Sequence, residues 1–380
     1  MSDQCTGTQE AVPQEIRKTE WIKTVARCFR YLTIRSVVVF LTVLVGVYAA
    51  IWVTNLGGFA DAQRTKDIEY GVRMALANAG DWYWTLPTDE REARFQVVFD
   101  AACDAADLGQ PFFLRSFRYF RDALTFSLGK TVRMTGFGGT NVVREILWRG
   151  LPLTLILFGA ANVLTFFGSL FIALRLSRRY GSFLDRAATL LVPAFAAPPW
   201  FHGIFLILIF ASIAKVLPFG GIVGVPLPET TFGYALSVLK HMILPVTALV
   251  LGTMPYAIYA NRSLFMIYSN DDYVELAMAK GLGSRRLHNR YILRPVLPPI
   301  LTNFALIAIV SWQGVILTEY IFNWPGLGKV LIEAIQFHEV AVVIGAVTMF
   351  AYLLGLSVFL LDVLYVLVDP RVTLGTAGKR

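Results

Sequence analysis

Charge is the scarcest commodity in this chain. Only 16% of its 380 residues are Asp, Glu, Lys or Arg, while 56% are hydrophobic; a soluble domain carries roughly 25% charged residues. That deficit excludes a large water-soluble core. Cysteine is nearly as rare, with Cys5, Cys28 and Cys103 alone. The first two are expected in a reducing compartment and the third stands by itself, so no internal disulfide is expected. The four histidines, His202, His241, His288 and His338, show no HExxH or paired metal spacing. His202, beside three prolines, reads as an ordinary buried histidine. No GxSxG elbow occurs. A Gly129-Lys130-Thr131 triplet is present, but Leu124 stands where a phosphate-cradling loop needs its first glycine. No catalytic constellation remains, so the chain is expected to be no enzyme, with no cofactor or metal of its own.

What the chain has instead is uninterrupted apolar sequence. Residues 36–60, 150–174, 187–214, 241–261, 295–318 and 340–361 contain no charged side chain, and each run exceeds 20 residues. A helix needs about 20 residues to cross a hydrocarbon core of about 30 Å. Six spans are therefore expected. The net charge of +8 is distributed by topology. Arg17, Lys18, Lys23, Arg27, Arg30 and Arg35 precede span one, and Arg175, Arg178, Arg179 and Arg186 lie between spans two and three. Arg262, Lys280, Arg285, Arg286, Arg290 and Arg294 gather between spans four and five, and Arg371, Lys379 and Arg380 follow span six. Lys/Arg-rich short segments mark the cytoplasm, which places both termini there. The basic charge is thus no nucleic-acid footprint. Span one, behind a charged leader, reads as an anchor rather than a cleaved signal.

The expected organisation is a cytoplasmic leader (1–35), span one (36–60), an extracytoplasmic insert (61–140), a core (141–372) holding spans two to six, and a tail (373–380). A loop so long is translocated largely regardless of its arginines. Helix is expected over 67–79, 90–106 and 115–124, and Trp82, Tyr83 and Trp84 suit a membrane-interface belt. The insert reads either as a cap packed on the spans or as a docking site. Span three carries Pro193, Pro198 and Pro199, which kink a helix, either in a gated path or as a packing device. Pro218-Phe219-Gly220-Gly221 and Phe322-Asn323-Trp324-Pro325-Gly326-Leu327-Gly328 read as two loops on the insert's side, the second leading into an amphipathic stretch at 330–337. No internal repeat is visible, which disfavours a secondary transporter built from two halves.

Ionisable groups inside spans usually mark ion or proton routes. Here Glu319 closes span five and Asp362 lies near the end of span six, neither at mid-membrane. The chain thus lacks an energy source of its own. Attention falls on the loop between spans four and five (263–297), and within it on a polar island at 272–281. Glu275, Leu276, Ala277 and Met278 favour helix. Ala277 and Gly281 lie four apart on one face and permit close approach, while Gly281 and Gly283 break the helix. The loop reads either as a basic segment on lipid headgroups or as a docking surface.

Glu275, Ala277 and Gly281, with Pro295, Pro298 and Pro299 beyond, resemble the EAA loop of ABC-importer permeases. Tyr273-Val274, then Ala277-x-Ala279-Lys280-Gly281-Leu282, is similar more narrowly to the dipeptide, oligopeptide and nickel permease group. So are Glu319-x-x-Phe322 with Pro325-Gly326-Leu327-Gly328, Asp362-x-x-Tyr365 with Asp369-Pro370-Arg371, and Ser127-Leu128-Gly129 ahead of Val142-Val143. The resemblance covers about residues 120–372. Leu276, Tyr291 and Val358 depart from it, and Asn55-Leu56-Gly57-Gly58-Phe59 lacks the group's usual Pro-Gly-Asp turn. The resemblance implies an all-α polytopic protein of type I permease fold in a bacterial or archaeal plasma membrane. It implies a second homologous permease, two ATPase subunits carrying ATP and Mg, and an external solute-binding protein. Residues 273–281 would couple to the ATPase with Lys280 and Arg285 as peripheral charges, and the motifs at 319–328 and 362–371 would hold span architecture. Peptides are the default cargo, with nickel and sugars carried by relatives. A self-sufficient secondary transporter or channel is the alternative.

Overall fold

In lipid a backbone N–H or C=O finds no water, so long apolar runs must satisfy themselves as helices. The computed structural model describes residues 14–55, 58–179, 181–283 and 286–368, and every regular element among them is helical. One isolated bridge, Lys130 to Val142, stands outside the helices. The chain forms two compact units, one drawn from the described residues up to 42 and from 355 onward, the other from residues 43–354.

The helices, in order, are α1 (Gln14–Thr54), α2 (Phe59–Ala77), α3 (Asp81–Thr85), α4 (Thr88–Ala105) and α5 (Phe112–Leu124). Then come α6 (Val143–Ser177), α7 (Phe183–Ala194), α8 (Pro199–Leu206) and α9 (Thr231–Ser269). The last are α10 (Asp272–Ala279), α11 (Arg294–Ile321), α12 (Leu327–Gln336) and α13 (Val340–Val368). Short π-helical segments, Ile207–Ile213 and Leu287–Leu293, follow α8 and precede α11. Among the described residues five helical stretches are long and apolar enough to cross a membrane: within α1, α6, α9 and α13, and through the second π segment into α11. The sixth expected run, 187–214, is divided among α7, α8 and the π segment, with Pro199–Ile213 as a shorter apolar helix.

The division has a packing reason. A Cβ placed on Gly252 of α9 would lie 2.8 Å from the Pro199 ring, and one on Gly314 of α11 would lie 2.9 Å from it. The proline at the start of α8 is wedged between two long helices that both have glycine there. Of the two readings of the proline cluster, packing is the one this contact supports. Around the wedge, α6 and α9 are joined by Thr165 to Thr253 (3.2 Å) and by Asn261 Nδ2 donating to Ser169 Oγ (3.1 Å). Small and hydroxyl side chains at such contacts let apolar helices approach closely.

The insert is more helical than its sequence suggested. Helix α1 ends at Thr54 and α2 begins at Phe59, so the apolar stretch to residue 60 is divided rather than continuous. Helices α2 and α4 pair, with the Arg73 guanidinium 4.3 Å from the Phe95 ring centroid. Trp82 and Trp84 are exposed, each beside a guanidinium, Arg94 and Arg91 respectively. Helix α5 is fixed by a buried fork. Arg115 donates to both carboxylate oxygens of Asp61 at 2.7 and 2.8 Å and to the Gln110 carbonyl at 2.9 Å. In the other unit, buried Asp362 of α13 pairs with Arg35 Nε of α1 at 3.2 Å and accepts from the Tyr31 hydroxyl at 3.4 Å.

Candidate functional site

Helix α10 forms because Asp272 and Glu275 put negative charge in its first turn, where the helix dipole favours it. It ends as a Schellman turn. The Leu282 N–H donates to the Ala277 carbonyl at 3.3 Å and the Gly281 N–H to the Met278 carbonyl at 2.9 Å. That pairing needs a left-handed residue just past the helix, and Gly281 supplies it with φ +72°. The breaker seen in the sequence is therefore a built cap.

Which side of α10 faces outward differs from the sequence reading. Ala277 is buried, as is Val274, in a cluster with Phe265 of α9, Ala173 of α6, Leu287 and Ile292 of the π segment, and Val296 and Ile300 of α11. Its small side chain serves the chain's own packing, so the shared open face expected for Ala277 and Gly281 is left to Gly281 alone. The exposed side consists of Tyr273, Glu275, Leu276, Met278, Ala279, Lys280 and Gly281. Leu276 and Met278 are 57% and 51% exposed. Burial of part of the Tyr273 ring, with Asp271 and Tyr268 nearby, pushes its phenol above the ordinary range. Arg285 lies outside the described residues.

The second group of candidate residues makes a hub at the opposite end of α11. Glu319 is fully buried, and one carboxylate oxygen accepts the Gly328 N–H at 2.6 Å. The Leu327 N–H donates to Thr154 Oγ1 of α6 at 2.8 Å, and Trp324 Nε1 to the Leu153 carbonyl at 3.1 Å. These bonds seat the start of α12 on α6. The glycines answer to space: a Cβ on Gly328 would lie 2.5 Å from the Ile316 Cα, and one on Gly326 would strike the Glu319 carboxylate. Pro325, just before Gly326, is half-buried. Phe322 packs with Leu206, Leu244 and Ala248, and its carbonyl accepts the Gly221 N–H at 2.9 Å. The two loops read separately in the sequence are thus joined. Of the third group, Asp362 is held as described above and Tyr365 is half-buried in α13. Asp369, Pro370 and Arg371 lie outside the described residues. Near Gly129, the Val143 N–H donates to the Gly129 carbonyl at 3.0 Å and the Thr131 N–H to the Asn141 carbonyl at 2.8 Å, so the Gly-Lys-Thr triplet pairs antiparallel with the segment that enters α6.

Sequence reasoning missed one further contact. Arg262 of α9 donates twice to Asp185 of α7, once at 2.6 Å, and Asp185 also accepts the Gly181 N–H at 3.0 Å. Both side chains are largely buried. The signal available was a lone arginine within the last turns of a long apolar helix, and its partner lies 77 residues earlier. The pair ties α7 to α9 two turns before α9 gives way to α10.

Comparison with known proteins follows these elements. A family model described as the inner membrane component of binding-protein-dependent transport systems matches residues 165–374, more than half of the chain. The match begins within α6 and leaves the insert outside. The chain is 33% identical over 256 residues to a di/tripeptide transport system permease protein of Pseudomonas aeruginosa, covering 62% of this chain and 76% of that protein. It is 28% identical over 272 residues to a dipeptide transport system permease protein of Bacillus subtilis, covering 71% and 82%. An oligopeptide transport system permease protein of Bacillus subtilis is 29% identical over 252 residues, covering 64% and 78%.

Proposed function

The chain belongs to the family of inner-membrane components of binding-protein-dependent transport systems, and from that premise we propose that it imports peptides, with α10 as the point where ATP-derived force enters. It is a transmembrane permease subunit of an ATP-driven importer and not itself an enzyme; ATP hydrolysis lies in separate subunits. The peptide cargo is supported by the relatives, whose names specify di/tripeptides, dipeptides and oligopeptides.

The observation that carries the coupling role is the two-sidedness of α10. Its inner side, Val274 and Ala277, is packed with α6, α9 and α11 at once, while its outer side leaves Leu276 and Met278 uncovered. A push on the outer side therefore moves three long helices together rather than bending a loop. The Asp185–Arg262 pair extends that linkage to α7. Packed elements of this kind have discrete arrangements rather than a continuum, which suits alternation between an outward and an inward path. In this reading two ATPase subunits close on ATP, pull α10 and turn the path outward; hydrolysis releases it. A second homologous permease completes the path and an extracytoplasmic binding protein delivers the peptide. Tyr273, Glu275, Leu276, Lys280 and Gly281 line the contact, and the hub around Glu319, Phe322, Pro325, Gly326 and Gly328 holds the spans.

Gly281→Glu tests the coupling role. At φ +72° a side chain is strained by about 1–2 kcal/mol, while Asn, which tolerates this region, costs less. The glutamate variant should insert normally, hydrolyse ATP in the assembled complex and lose most uptake, with Gly281→Asn retaining it. Normal uptake by Gly281→Glu, measured in vesicles with all subunits, would remove the coupling role from this turn.

Orientation is testable through the cysteines. With both termini cytoplasmic, Cys103 of α4 is outside and Cys28 of α1 inside. Burial, reinforced by Asp100 and Asp104, pushes the Cys103 thiol above its ordinary range. Less thiolate exists at neutral pH, and thiolate is the reactive form. A membrane-impermeant maleimide added to intact cells should label Cys103 slowly at pH 7 and faster as pH rises, and label Cys28 only after permeabilisation. The reverse pattern would invert the topology.

A further inference from the structure

Helix α5 shows two faces that the transport reading does not use. Its polar side is engaged inward: Arg115 is forked on Asp61 and Arg118 pairs with Asp107. Its other side presents Phe113, Leu114 and Phe117, which are 55%, 59% and 53% exposed. Three large apolar groups in one row on a supposed water-facing cap need a cover.

The surroundings say what covers them. Phe117 lies 5.7 Å from the Tyr48 ring of α1, Phe120 5.4 Å from it, and Phe112 5.0 Å from the Trp52 ring. Tyr48 also shares a hydrogen bond of 3.0 Å with Ser116. On α1 the neighbouring Val45 and Val53 are themselves exposed, as expected for the surface of a membrane span. The Phe117–Tyr48 contact brings the apolar row of α5 up to this span. Depth follows from helix rise. Tyr48 precedes Thr54, the last residue of α1, by six positions, or about 9 Å at 1.5 Å per residue. Helix α5 therefore packs along the last two turns of α1, from Trp52 to Tyr48, rather than beyond its end, a range that suits the depth of about 5–10 Å typical of amphipathic interfacial helices. Below α5 the cluster of Val47, Ile51, Ala123 and Ile344 also joins it to the start of α13.

We infer that α5 lies in the bilayer, in the leaflet on the insert's side, with Phe113, Leu114 and Phe117 against lipid acyl chains. Arg121, on the same side and 72% exposed, pairs with Asp122 at 3.2 and 3.1 Å through Nε and one terminal nitrogen, and its other terminal nitrogen suits a phosphate headgroup, as long basic side chains reach toward that level. The Arg115–Asp61 fork then tethers the α2–α4 hairpin to a membrane-seated element. This reading goes beyond peptide import and would stand if the cargo were different.

Spin labels test it. In the full complex in phospholipid nanodiscs, with Cys5, Cys28 and Cys103 replaced by Ser, labels are placed at Phe113→Cys, Phe117→Cys and, on exposed α4, Val97→Cys. At 113 and 117, collision with oxygen should exceed collision with a water-soluble nickel complex, and the ratio should be several-fold that at 97. Because losing either ring loosens packing near Tyr48, Leu114→Cys, which makes no ring contact, repeats the measurement. Labels as nickel-accessible as position 97 would overturn the inference by placing α5 in water. Labels shielded from both reagents would overturn it in favour of a protein cover.

Discussion

Peptide uptake by the assembled importer is expected to fall at least about tenfold when Leu276 is replaced by Asp, a loss of roughly 1.4 kcal/mol or more of subunit contact. Leu276 is 57% exposed on α10, so the chain itself gains little from it, and surface substitutions of this kind change stability by about 0.5 kcal/mol or less. What the substitution removes is apolar area available to a partner, about 1.5–3 kcal/mol for a leucine fully covered on binding, and it adds a carboxylate to be desolvated. Yield of the folded chain should stay normal while co-purification with the ATPase and ATP-driven uptake fall together. Ala277→Asp provides the contrast. Ala277 is 3% exposed, so its substitution should lower the yield of the chain itself. If Leu276→Asp left both association and uptake intact, α10 would not be the contact helix.

Gly328→Val is expected to produce the largest loss of folded protein. Its Cβ would lie 2.5 Å from the Ile316 Cα, a backbone atom that cannot rotate away. Overpacking a tight contact costs roughly 1–3 kcal/mol or more. Here the shift would also lengthen the 2.6 Å bond between the Gly328 N–H and the buried Glu319 side chain, and leaving a buried polar group unpaired adds roughly 1–3 kcal/mol. The chain should then fail to assemble: detergent-solubilised complex falls by at least about tenfold, measured by size-exclusion chromatography. Wild-type yield with wild-type uptake would show that α12 is free to move off α11, against the role given to this turn.

The two sites differed in how legible they were. The apolar runs announced helices because only self-satisfied backbones survive in lipid, and five of them correspond to long helices. The run with Pro193, Pro198 and Pro199 signalled a break, yet its partner glycines, Gly252 and Gly314, lie on other helices and carry no local mark. Gly281 was legible as a stop because a left-handed cap is a local requirement. The side on which Ala277 sits was not, since helical spacing fixes which residues share a face but not which face meets the chain's own core. Asp185 with Arg262, Asp61 with Arg115, and Gly221 with Phe322 are pairings across long sequence separations, invisible to any periodicity. The exposed row on α5 was veiled by its neighbours, because Phe, Leu and Arg in near alternation read as a mixed segment until the fork at Arg115 shows which side is turned inward.

In the proposed mechanism this chain supplies a path and a lever but no power. The most direct measurement is uptake of a labelled dipeptide into proteoliposomes, comparing the chain alone with the complex of both permeases, the ATPase pair and the binding protein. Accumulation is expected by the complex only when ATP reaches the ATPase side, and none by the lone chain under a proton or sodium gradient. Accumulation by the lone chain, driven by such a gradient and indifferent to ATP, would contradict it.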